Sequence, residues 1–272
     1  MDSTTWAHSL SGLVVFGALG HLLWLAWKDK KDTTSPPKPE KEPKDRVADE
    51  PGRDEKDERL LVSYLTLRKV VGALGVGLPV ALAVLGVLMF ESWHVLDSMS
   101  DYYHFRTRDI FVGVLFVLAW FLFAYKGYDA VDDRAGDFAC LFALGVALCP
   151  TGHPGWQGVV HPWSAAGLFF VLAYFSFFLF TKSDVARENQ GPEKRKRNNF
   201  YRFCGVAMLV FIVTIGLSYW LLSEAIRQDT NLVFWMEWLA LWAFGASWYV
   251  KGEWLWKDPK KKKEEKPATE AG

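Results

Sequence analysis

Residues 70–90 read VVGALGVGLPVALAVLGVLMF, a run of 21 residues without a charge. A bilayer core about 30 Å thick needs roughly 20 apolar residues as helix. The run shows no period-two alternation, so a barrel strand is excluded. Inside lipid only a helix satisfies every backbone group of such a run. Val70–Phe90 therefore predicts a transmembrane helix. Working outward, Thr5–Trp27, Ile110–Tyr128, Gly136–Pro150, Pro162–Thr181, Cys204–Ser223 and Asn231–Val250 read the same way. The short stretch at Gly136 gains length by reaching back to Asp133. The expected fold is an all-α integral membrane helical bundle: a six-helix domain over 60–253 and one N-terminal transmembrane helix over 1–27.

Whole-chain averages conceal this. The chain has 31 Lys+Arg against 31 Asp+Glu, a formal net charge of zero, 51% apolar residues and 16% aromatics. The aromatic content excludes a disordered chain. Three scattered cysteines exclude a disulfide scaffold. The balanced charge offers nothing to nucleic acid. Walker, dinucleotide-binding, HExxH and GxSxG patterns are absent.

Between the first two spans lies Lys28–Arg59, built around TTSPPKPEKEPKD. It has too little apolar surface to fold and is expected to be a disordered cytoplasmic linker. The basic tail 254–272 is expected to behave likewise. Glu58–Lys69 reads either as an interfacial helix or as an extension of the second span. The first apolar run has no Lys or Arg before it, and Lys28, Lys30 and Lys31 follow it. That is the wrong polarity for a cleaved signal peptide, so the run is expected to be an uncleaved helix.

Positive charge sets the orientation. The segment through Lys69 holds 12 Lys+Arg, the turn after the third span two, the turn after the fifth seven, and the end from Lys251 seven. The three others are Arg106, Arg108 and Arg227. The first four segments are expected to be cytoplasmic, with the N-terminus outside and the C-terminus inside an inner (plasma) membrane. Small residues at four-residue spacing, Ala139/Ala143/Ala147 and Ala73/Gly77, predict helix-packing surfaces. Pro79 predicts a kink. Asp129, Asp132, Asp133 and Asp137 line an inner turn, where they cap helices or pair with Arg134 and Lys126.

Once sides are assigned, His94, His104, His153 and His161 fall in the two outer connections, with His8 near the outer end of the first helix. Glu237 lies in the outer third of the last span, where an ionisable group needs a partner or a wet cavity; the outer histidines, Arg106 and Arg108 are the expected partners. A polar outer-face site could thus be built from Ser98, Ser100, Asp101, Tyr103, His104, Arg108, Asp109, His161 and Glu237. Such a set can recognise a ligand, and Ser100, Asp101 and His104 with His161 could bind a metal or run acid–base chemistry. It can equally be a wet loop surface with helix caps and one paired glutamate. Metal-ligand spacing is lacking, so neither metal nor cofactor is expected. His21, deep in the first span, reads as a packing residue, and Cys140 and Cys149 as buried small residues.

The block SMSDYYHFRTRDIFVG, followed by FALGVALCPTG, KRKRNNFYRFCG and ALWAFGASWYVKGE, resembles a family of bacterial multi-pass membrane proteins with a domain of unknown function. The resemblance covers roughly residues 59–253. Its most distinctive positions here are Ser98, Ser100, Tyr102, Tyr103, Arg108 and Asp109. Ser100 followed by His104 is distantly similar to one element of the alkaline-ceramidase-like membrane hydrolases, which place zinc among Ser, Asp and three His. Their second element, a His pair near the C-terminus, is missing: no His follows His161.

The leading expectation is a non-enzymatic membrane protein that recognises a lipid, small ligand or partner through the outer polar face. The alternative is a membrane-embedded lipid hydrolase; a transporter ranks third, because the spans carry few ionisable residues. The expected partners are the lipid bilayer and anionic lipid headgroups at the basic loop 194–202.

Overall fold

The computed structural model describes residues 53–90, 95–125, 130–183, 190–253 and 255–256. The first span, most of the linker, the tail from 257, His8, His21, Glu91, His94, Lys126 and Asp129 lie outside the described residues. The described chain is all helical, without a strand. Its elements are α1 (Arg53–Phe90), a 3₁₀ turn (Met99–His104), α2 (Arg108–Ala124), α3 (Ala130–Leu148), α4 (Trp156–Tyr174), a π-helical turn (Phe175–Leu179), α5 (Pro192–Leu221), the short α6 (Glu224–Asp229) and α7 (Leu232–Lys251). Among the described residues three segments, Val62–Leu88, Trp156–Leu179 and Pro192–Leu221, are long and apolar enough to cross a membrane by length and composition.

Several boundaries differ from the expected ones. The linker was expected to run to Arg59, but α1 already begins at Arg53 and continues unbroken through Pro79 to Phe90. Glu58–Lys69 is thus an extension of α1, because no proline or glycine stands between Arg53 and Lys69 to interrupt the helix. The helix begun at Trp156 contains Pro162 as its seventh residue, so the helix forgoes one backbone hydrogen bond, to the Gly158 carbonyl, and still continues to Tyr174. Residues 194–202, expected as a loop, are the first turns of α5. Pro192 stands at its start, where a prolyl φ is already helical and no N–H is needed.

Neighbouring helices approach closely where side chains are smallest. A Cβ on Gly72 would lie 2.8 Å from the carbonyl oxygen of Gly245, and one on Gly245 would lie 2.7 Å from that of Gly72. The α1–α7 crossing is therefore a backbone-to-backbone contact that only glycine permits. The expected small pair Ala73 and Gly77 is on the wrong face: both are exposed, and nothing stands near Gly77. On α3, Ala139, Ala143 and Ala147 are buried against the neighbouring helices. Gly136 meets the Leu122 carbonyl of α2 in the same way.

At one end of the bundle the core is aromatic. Trp248 of α7 has Tyr125, Phe175, Phe180 and Phe244 rings at centroid distances of 5.6, 5.9, 5.2 and 6.0 Å. Ring pairs in such offset and edge-to-face geometry add about 0.5–1.5 kcal/mol each beyond their burial. Asp132 is fully buried and pairs at 2.5 Å with Lys182. Lys251 donates to the Phe180 carbonyl at 3.3 Å, and the Arg68 guanidinium lies 4.0 Å from the Tyr64 ring centre. The opposite end carries the connections α1–α2, α3–α4 and α5–α7, where the candidate site lies.

Candidate functional site

The connection after α1 is organised by one local motif. Ser98 N–H donates to Asp101 Oδ2 at 2.9 Å, and Asp101 N–H donates to Ser98 Oγ at 3.3 Å. This reciprocal capping box starts the 3₁₀ turn Met99–His104. The turn buries Met99, Ser100, Tyr102 and Tyr103. Tyr102 packs under Gly86, where a Cβ would lie 2.8 Å from its ring, and its ring centre lies 6.2 Å from that of Phe234. Burial pushes the Tyr102 phenol above its usual range, against a hydrogen bond with the Leu96 backbone. Thr107, fully buried, closes the loop by donating from Oγ1 to the Tyr102 carbonyl at 3.1 Å.

Two long-range contacts fasten this turn to α7. Phe234 N–H donates to the Asp97 carbonyl at 3.0 Å. Met99 N–H donates to Glu237 Oε2 at 2.7 Å. The partners expected for Glu237 were arginine or histidine; the structure supplies a main-chain amide. Arg108 turns the other way, donating to the Tyr103 hydroxyl at 3.1 Å with its guanidinium 4.6 Å from that ring's centre. Arg106 is exposed.

A third contact reaches α4. His161 is 2% exposed, with Nδ1 2.5 Å from the Cys149 carbonyl and Nε2 2.8 Å from Ser100 Oγ. A carbonyl can only accept, so Nδ1 carries the hydrogen. In the neutral ring Nε2 is then an acceptor, and the Ser100 hydroxyl donates to it. The result is a directed chain from Ser100 through His161 to Cys149 O. Asp101 and His104 lie within electrostatic reach of His161.

Ser100 and Glu237 border the same small cavity, of about 40 Å³. Its other walls are apolar, among them Leu78, Phe111, Val146 and Leu168, so four helices contribute besides α7. Ser100 and Glu237 are the polar residues of its lining, and its volume suits a water-sized occupant.

The expected site residues thus separate into two groups. Ser100 and Glu237 line the cavity, and buried His161 stands behind Ser100, hydrogen-bonded to it. Ser98, Asp101, Tyr103, His104, Arg108 and Asp109 do not line the cavity and lie in the surrounding connection and the first turn of α2. There Ser98 and Asp101 cap the turn, Arg108 holds Tyr103, exposed His104 contacts the Thr151 carbonyl through Nε2 at 2.8 Å, and Asp109 is an exposed first-turn residue of α2. Three contributors lacked any side-chain signal in the sequence: the Met99 amide, the Cys149 carbonyl and Asp97 O are main-chain groups. Thr107 was legible only as a polar residue before a helix. Among the described residues, no three His, Cys, Asp or Glu side chains are grouped to hold a metal ion, so the zinc implied by the hydrolase resemblance finds no donor set there. No family model matches the chain, and no curated protein or solved structure matches it.

Proposed function

We propose that the chain is a multi-pass membrane protein of an inner (plasma) membrane that recognises a lipid or small polar ligand at the outer end of its bundle. In this reading six helices cross the membrane as a core, and Thr5–Trp27 adds a seventh span through the charged linker. The N-terminus lies outside and the C-terminus in the cytoplasm. The partition of Lys and Arg supports that orientation. The observation that carries the ligand reading is the meeting of Ser100 and Glu237 at one apolar cavity beside His161. Polar groups kept at such a site need a partner.

Ligand recognition is tested by comparing small molecules and lipids retained by purified wild type and by Glu237→Gln. A species retained by wild type and lost from a folded Glu237→Gln supports the reading; identical retention sinks it. Orientation is tested by cysteine labelling. The native Cys140, Cys149 and Cys204 are buried. Thr107 and Asn198, polar and near the two ends, are also buried, so the exposed His153 and Asn199 are the positions to use. A membrane-impermeant reagent should label His153→Cys from outside and leave Asn199→Cys untouched.

A second reading, a membrane-embedded lipid hydrolase, is favoured by one observation: Ser100 donates to a histidine whose other nitrogen is fixed by a third group. That is the logic of an activated serine nucleophile. A fluorophosphonate probe decides it. Adduct formation on Ser100, absent in Ser100→Ala, supports hydrolysis; no adduct on the wild type removes it.

A further inference from the structure

At the end of the bundle opposite the Ser100 site, an open groove of about 380 Å³ is lined by Val76 of α1, Phe200 of α5, Ala246, Tyr249 and Val250 of α7, and Leu255. Its lining is almost wholly apolar. The helical period places cations one or two turns beyond that lining. Lys69 stands seven residues before Val76, on the same face of α1, and Lys196 and Arg197 stand four and three residues before Phe200 on α5. The Lys69 stem lies against Gly252 at the end of α7. Arg197 reaches across to the Trp256 carbonyl, and the Trp256 ring meets Phe200 with centroids 5.7 Å apart. Arg68, Lys194 and Arg197 lie within electrostatic reach of Lys251. Of the acids nearby, Asp132 is held by Lys182 and Glu193 by Lys196, and Glu253 follows α7.

An apolar channel that ends in a cationic rim matches one kind of molecule, a single amphiphile with an acyl chain and an anionic head. We propose that this groove is a binding site for an anionic phospholipid. Its acyl chain lies along Val76, Ala246 and Phe200, and its phosphate sits at Lys69 and the exposed Lys196, whose ammonium has donors beyond the one on Glu193. Each cation near a membrane surface favours an anionic lipid, and long Lys and Arg stems reach the headgroup level by snorkelling. The proposal rests on the membrane reading above and narrows the expected lipid partner from a basic stretch to one groove with a named rim.

The test is native mass spectrometry of the full chain released from micelles equilibrated with equal amounts of dioleoyl phosphatidylglycerol and dioleoyl phosphatidylcholine. Wild type should retain one phosphatidylglycerol per chain, at least fivefold over phosphatidylcholine. Lys69→Gln with Lys196→Gln should abolish that preference. Ala246→Phe, which fills the groove with the rim intact, should lower retention of phosphatidylglycerol by a similar factor. Melting curves accompany each variant, and the two variants act through different groups, so one folded variant suffices. Equal retention of both lipids by wild type, or wild-type preference in a folded variant, overturns the proposal. Retention in micelles does not depend on sidedness, so this failure is distinct from a failure of the labelling test of orientation.

Discussion

Ser100 Oγ and His161 Nε2 lie 2.8 Å apart although 61 residues separate them in sequence. The contact ties the 3₁₀ turn after α1 to α4, and the Cys149 carbonyl on the other ring nitrogen fixes its direction. Removing the hydroxyl leaves Nε2 without its partner, and removing the ring leaves both Ser100 and the carbonyl unmet. Ser100→Ala and His161→Ala should each destabilise by about 1–3 kcal/mol. The double variant should cost clearly less than the sum, with a coupling of about 1 kcal/mol. Denaturant or thermal unfolding in detergent reads the cycle; strict additivity would show that the pair does not act as one unit.

Glu237 accepts from a main-chain amide at 2.7 Å, so what the site needs is an acceptor oxygen. Gln supplies one and Leu does not. Glu237→Gln should fold with stability near that of wild type, while Glu237→Leu leaves the Met99 N–H unmet and should lose about 1–3 kcal/mol. Equal stability of the two variants would mean that the Met99 contact contributes nothing.

Gly72 and Gly77 are five residues apart on α1 and read alike in sequence. Only Gly72 meets another backbone, at Gly245. Gly72→Ala should push α1 from α7 and cost on the order of 1–3 kcal/mol, as overpacking does. Gly77→Ala enters open space and should be neutral or stabilise by up to about 1 kcal/mol through helix propensity. Paired melting curves decide the matter; similar losses at both positions would contradict the crossing.

Asp132 has no exposed surface, and its partner Lys182 is 29% exposed. Lys182→Met leaves a buried carboxylate without this partner, a change that costs about 3–5 kcal/mol where such a pair is fully desolvated and less here. Adding Asp132→Leu should restore most of the loss, since an apolar pair suits that setting. If the double variant is no more stable than Lys182→Met, the pair is not the reason Asp132 tolerates burial.

Much of the architecture is legible without coordinates. Val70–Phe90 lies whole within α1, and Asn231–Val250 lies within one residue of α7 at either end. Long uncharged runs have one way to satisfy their backbone in lipid, so they announce themselves. Helix ends are less legible where polar residues continue a helix, as Arg53–Lys69 and Pro192–Phe203 do. Their side chains tolerate water, so hydropathy falls while the backbone stays helical.

The site divides along the same line. Residue types and the partition of Lys and Arg sufficed to gather Ser100, His161 and Glu237 at one end of the bundle. They could not say that these three turn inward while His104, Arg108 and Asp109 stay exposed. Nor could they replace the expected arginine at Glu237 by the Met99 amide, or move the tight glycine contact from Gly77 to Gly72. Composition and charge act on whole segments and need no partner, so the sequence alone determines which stretches are helical and apolar and where charge is excluded. Direction and partner choice depend on the rotation of each helix about its axis and on main-chain groups that every residue carries alike; only the packed tertiary structure decides those.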